Sequence, residues 1–153
     1  VKLKIVSTSW DGIIAGLLTG KYDMIMSGMT ITQERNLKIN FSDPYVVVGQ
    51  TMMVHKSIAG KIKNVKDLDK PDYTIVTKLG TTGEIATRKF FKKAKIVTFE
   101  GEADAAIEVL NGRATAMVYD KTYNIFCGLV CVRTAIRPCT WWHVRYPWLS
   151  SRP

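Results

Sequence analysis

Residues 10–35 read WDGIIAGLLTGKYDMIMSGMTITQER. The spacing of apolar residues changes character twice within this stretch. Ile13, Ile14, Leu17 and Leu18 fall on one face of a helix, with Asp11 able to cap its start and Gly20 suited to a left-handed stop. YDMIMSG (22–28) is a short apolar run ending in glycine, which reads as a strand. TQERNLK (32–38) returns to helix, with Thr32 as its N-cap. The junction between the last two puts Thr30 and Arg35 where a strand ends and a helix begins.

Working outward, VKLKIV (1–6) alternates apolar and basic residues and predicts a strand. INFSDPY (39–45) is an extended piece with a turn at Asp43-Pro44. VVVGQTMMVH (46–55) is a long β-rich run broken by Gly49. A lysine-rich loop and a short VKDLDK helix (65–70) follow. A second unit then repeats the pattern: strand YTIVT (73–77), a glycine turn opening a helix over 81–93, strand KIVTF (95–99), helix EADAAIEVLNG (102–112) stopped by Gly112, and strand ATAMVYD (114–120). Strands alternating with helices imply α/β layers around a largely parallel sheet. Such sheets bind ligands beyond the carboxyl ends of their strands. Gly28–Thr30, Gly80–Thr82 and Asp120 all lie at such ends.

The 153 residues give room for one ordinary domain or two small lobes, and a hydrophobic content of 46% predicts a packed core. No apolar run approaches the ~18 residues of a membrane span, and no signal-peptide pattern opens the sequence. The net charge of +9 is unevenly spread. Residues 1–126 intersperse lysines with acids, as a solvated surface does, which weighs against a nucleic-acid partner. Residues 127–153 contain four arginines, no lysine and no acid, together with all three cysteines.

The order of elements and several motifs resemble the polar amino-acid-binding proteins of bacterial ABC transporters, the family 3 solute-binding proteins with the type II periplasmic binding fold. The matching stretches are residues 10–35, FSDPY (41–45), Asp67-Leu68, LGTTGE (79–84) and LNGRATAMVYD (110–120), in order over 1–126. The resemblance implies an α/β fold of two lobes joined by a hinge, with residues 1–49 a partial lobe 1 and 50–126 lobe 2. It implies that the family's first strand–helix unit and its C-terminal return are missing. It further implies export to the periplasm or cell envelope, an ABC-transporter membrane permease as partner, a small-molecule amino acid as ligand, and neither cofactor nor catalysis. The hinge is expected at Gly49-Gln50.

A free amino acid is a zwitterion, so a site must pair a carboxylate and an ammonium. Arg35 offers a planar fork of donors that matches a carboxylate. Backbone N–H groups at Thr30 and at the first turn of the 81–93 helix add donors, aided by the positive end of the helix dipole. The hydroxyls of Thr81 and Thr82 can do the same. Asp120 and the Gly28 carbonyl can accept from the ammonium. In the resembled family the matching positions perform these jobs. Each also has a plainer reading: Arg35 as a surface arginine, Thr81-Thr82 as an ordinary helix start, and Asp120 as a cap for KTYNIF (121–126). Thr32 is read as a cap only. The counterpart of Trp10 packs on the ligand's aliphatic part, with core packing as the alternative. Lys78 matches a lysine that touches a side-chain amide in glutamine binders, and Tyr119 is expected on the same wall.

The same fold hosts dehydratases acting on cyclohexadienyl acids, and Glu84 is the one extra acid near the expected cleft. A sensor's ligand-binding module is a third class. The tail, 127–153, departs from the family and reads as out of frame or otherwise not the native continuation. Its Cys127-x3-Cys131-x7-Cys139-x3-His143 spacing has zinc-ligand types but matches no familiar zinc fold, and no metal is assigned.

Overall fold

The computed structural model describes residues 2–130, with side chains through Gly128. The tail's zinc-ligand spacing and its proposed origin therefore lie largely outside the described residues. The chain separates into two compact units, one ending at Val47 and the other beginning at Val48.

In the first unit, helix α1 spans Ile13–Leu18 and helix α2 spans Gln33–Asn36. Thr32 caps α2 as expected, its Oγ1 accepting from the Arg35 N–H at 3.2 Å. Asp11 does not cap α1. The helix starts one residue later, so Gly12 occupies the N-cap position and no side chain reaches the first turn. The strands expected over 1–6 and 22–28 are not formed: the described residues there pair with no neighbour. Leu3, Ile5 and Met26 are 71%, 86% and 81% exposed. Alternation is a local property, whereas a strand needs a second chain segment to take its N–H and C=O groups.

The second unit contains one four-stranded sheet in the order β1-β4-β2-β3. Its strands are β1 (Gln50–Val54), β2 (Thr74–Lys78), β3 (Lys95–Phe99) and β4 (Ala116–Asp120). β2 runs parallel to both β3 and β4, while β1 pairs antiparallel with β4 at the edge. The sheet is thus mixed, with a parallel centre. Helices α3 (Thr82–Phe90), α4 (Glu102–Leu110) and α5 (Lys121–Val130) complete the unit. No helix among the described residues is long and apolar enough to cross a membrane.

Both sheet faces are covered. On one, Val54, Ile75, Ala116 and Val118 pack with Leu68, Phe91 and Ala94 around the end of α3. On the other, Met53, Val76 and Met117 pack with Ala105, Ala106 and Val109 of α4. Each large side chain so buried contributes about 1.5–3 kcal/mol. Helix α3 ends at Phe90 rather than at 93. Asp69 Oδ1 accepts from the N–H groups of Lys92, Lys93 and Ala94 at 2.9, 2.7 and 3.0 Å, which holds that segment out of the helix. Gly20, Gly80 and Gly112 all adopt φ of 72°, the left-handed conformation expected of the turns they close or open.

Candidate functional site

The first unit gathers three of the expected residues. Arg35 is fixed through its own backbone by the Thr32 cap. Its Nη1 donates to the Thr30 carbonyl at 2.8 Å. Its Cζ lies 5.7 Å from the centroid of the Trp10 ring, a cation–π arrangement. A guanidinium anchored at one nitrogen and laid on an aromatic face has a defined plane, which is what two-point recognition of a carboxylate requires. Trp10 thus supports the arginine rather than filling a core; no described residue of this unit is buried. Gly28 is exposed, with open space where a side chain would lie.

In the second unit, Gly80 turns the chain from β2 into α3. Thr81 caps the helix: its hydroxyl donates to the Lys78 carbonyl at 2.7 Å and accepts from the Glu84 N–H at 3.4 Å. Glu84 itself accepts from the Gly80 N–H at 2.8 Å and from Arg88 Nε at 2.9 Å. Those contacts make Glu84 part of the helix start.

Gln50 and Asp120 stand directly opposite each other across the β1–β4 ladder. Opposite residues share a face, so their side chains meet. Gln50 Nε2 donates to Asp120 Oδ1 at 2.6 Å and to Thr82 Oγ1 at 3.1 Å. Thr82, Gln50 and Asp120 therefore form one network beside the α3 N-terminus. The sequence reading found Thr82 and Asp120 but gave Gln50 only a hinge role. The ladder register would have linked it to Asp120, and register is not written locally.

Lys78 and Tyr119 point to the opposite face. Side chains alternate along a strand, so Thr77 and Asp120 face α3 while Lys78 and Tyr119 face α4. Lys78 Nζ lies 2.6 Å from Glu102 Oε2, with side-chain exposures of 15% and 36%. The hydrogen bond from Lys78 holds the Glu102 carboxyl below the usual carboxylate range. The Tyr119 ring meets Tyr123 edge-on at 5.2 Å. Burial first, then the charges of Glu102 and Asp120, push its phenol well above the ordinary tyrosine range. The expected residues of this unit thus divide into two groups at the same strand ends. Thr81, Thr82 and Asp120 lie on one side of the sheet, and Lys78 and Tyr119 on the other.

Residues 1–126 match the family described as bacterial extracellular solute-binding proteins, family 3. The chain is 36% identical over 119 residues to a glutamine-binding protein of Geobacillus stearothermophilus, covering 78% of this chain and 44% of that protein. It is 29% identical, over the same shares, to the cyclohexadienyl dehydratase of Pseudomonas aeruginosa. The chain thus spans about half the length of the curated relatives it matches. Among solved structures, an ancestral amino-acid-binding protein that is a precursor of cyclohexadienyl dehydratase superposes with a TM-score of 0.84 at 49% identity. That match covers 92% of this chain and 61% of the other. The fold is that of the type II periplasmic amino-acid-binding proteins, and the chain belongs to family 3 of the bacterial extracellular solute-binding proteins.

Proposed function

We propose that this protein captures a polar amino acid outside the cytoplasm and presents it to the membrane permease of an ABC transporter. One observation carries the reading: the two units hold complementary chemistry. The first holds a guanidinium oriented by Trp10 and Thr30. The second holds a strand-end carboxylate, Asp120, braced beside the N-terminus of α3. In this reading Arg35 and the Thr30 N–H take the ligand carboxylate, with Thr81 and Thr82 adding donors. Asp120 and the Gly28 carbonyl take the ammonium. Trp10 supports Arg35 and lines the aliphatic part of the ligand. Lys78 and Tyr119, on the α4 side of the same strand ends, are assigned the wall toward the ligand side chain, with Lys78 sharing its charge with Glu102.

A thermal-shift screen with the twenty amino acids tests this. A ligand at about 100 times its Kd adds about 2.7 kcal/mol of stability. At about 2–4 °C per kcal/mol, that is a rise of about 5–10 °C. The rise is expected for one polar amino acid and is expected to vanish in Arg35→Ala and Asp120→Ala. No shift with any amino acid, or a shift untouched by both substitutions, would refute it. The dehydratase relative supplies the second reading, and incubation with prephenate or arogenate separates the two. Release of the aromatic product would favour the enzyme. The engagement of Glu84 with the Gly80 N–H and Arg88 favours the receptor.

A further inference from the structure

We infer that Gln50 is a positioning residue: its amide fixes the Asp120 carboxylate that receives the ammonium and holds the Thr82 hydroxyl beside it. The inference rests on the amino-acid-binding reading for its purpose, but its geometry stands independently.

Gln50 is 7% exposed. A carboxylate offers only acceptors, so the amide nitrogen must be the atom 2.6 Å from Asp120 Oδ1. The same nitrogen reaches Thr82 Oγ1 at 3.1 Å, so both of its protons are used. The amide oxygen is different. It is buried with no hydrogen-bond partner among the described residues. An orphaned buried acceptor is costly, and an apolar side chain of similar size would avoid that cost. Leucine would remove that cost but would also strip the donor from Asp120 and from the buried Thr82 hydroxyl. What leucine cannot do is donate to both Asp120 and Thr82. A local sacrifice of stability that orients two polar groups is the mark of a site rather than of a core.

Gly83 supports the arrangement. A Cβ there would lie 3.0 Å from Gln50 Oε1. The missing side chain is what lets the amide sit against the first turn of α3. Asp120 is thereby held on one oxygen by a neutral donor.

The test uses Gln50→Leu and the isosteric Gln50→Glu in the full chain. Carboxyl carbon NMR follows the titration of Asp120 without ligand. Loss of the amide donor should move the Asp120 midpoint upward in Gln50→Leu. It should move further in Gln50→Glu, where a second carboxylate faces it. The unliganded melting temperature of Gln50→Leu should change little, because removal of the orphaned acceptor offsets the donor lost. In the thermal-shift screen, the ligand-induced rise should shrink in Gln50→Leu, and adding that change to Asp120→Asn should cost nothing further. An unmoved Asp120 midpoint together with a lowered melting temperature would make Gln50 merely structural and overturn the inference. An upward midpoint with no amino acid stabilising the wild type would instead sink the binding function while leaving Gln50 as the residue that sets Asp120.

Discussion

Replacing Gly83 with alanine sets two known effects against each other at one atom. Gly83 is the second residue of α3, where alanine's helix preference is worth up to about 1 kcal/mol. The added methyl would lie 3.0 Å from Gln50 Oε1, 3.0 Å from the Val118 carbonyl oxygen and 3.1 Å from Thr77 Oγ1. The Gln50 amide can swing aside, whereas Thr77 is fully buried. The Val118 carbonyl cannot move, because it belongs to β4 and accepts from the Thr77 hydroxyl at 3.0 Å. Overpacking of this kind costs about 1–3 kcal/mol, and three simultaneous close contacts argue for the upper half. The balance is a net loss of about 1–2 kcal/mol, or about 2–8 °C in Tm. Differential scanning calorimetry reads this directly, with Gly60→Ala as the control. Nothing lies within 4 Å of a Cβ at Gly60, so that change should be neutral or stabilising by up to about 1 kcal/mol. If Gly83→Ala raises Tm as Gly60→Ala does, the close approach of α3 to β4 and Gln50 is wrong.

Two further outcomes follow from the same unit. Thr81→Ala removes the acceptor for the Glu84 N–H and the donor to the Lys78 carbonyl, and should cost about 1 kcal/mol in urea denaturation, while Thr81→Ser should retain most of it. Lys78→Met should show a pH signature. The Glu102 carboxyl is held below its ordinary value of 4.5, so the pair stabilises the fold above that pH and the benefit is lost as pH falls through the lowered midpoint. The stability gap between wild type and Lys78→Met should therefore be full at neutral pH and close in acid; a gap that persists at pH 2 would mean that Lys78 acts through packing.

Most of the second unit was legible because its signals are local. KIVTF forms a strand to the residue, Lys95–Phe99. The glycine turn opens a helix capped by Thr81, and in the first unit the Gln33–Asn36 helix likewise carries the Thr32 cap. The misses share a different cause. The end of α3 depends on Asp69, more than twenty positions upstream, accepting three consecutive N–H groups. The division of Lys78 from Asp120 follows from which helix covers which face. No window of sequence around either residue contains that information. Gln50 was visible as a polar residue in a β-rich run, yet its partner Asp120 is 70 positions away.

The same distinction separates the two halves of the proposed clamp. Arg35 takes its geometry from Thr30 and Thr32, within five positions, and from Trp10 in the same unit. Asp120 takes its geometry from a cross-strand partner whose place depends on a four-stranded sheet with both faces covered. Alternation of apolar residues appears in both units. In the second it ends in burial, because α3 and α4 lie on either face. In the first it leaves Leu3, Ile5, Met26 and Val47 exposed. Alternation therefore states a demand for neighbours without proving that they are there. Helices of four and six residues, such as α2 and α1, are too short to be stable on local bonds alone. The orientation of Arg35 thus rests on contacts worth little individually, while that of Asp120 rests on the core. It follows that general destabilisation of the second unit should impair Asp120 through the β1–β4 register, whereas Arg35 should respond mainly to changes at Trp10, Thr30 and Thr32.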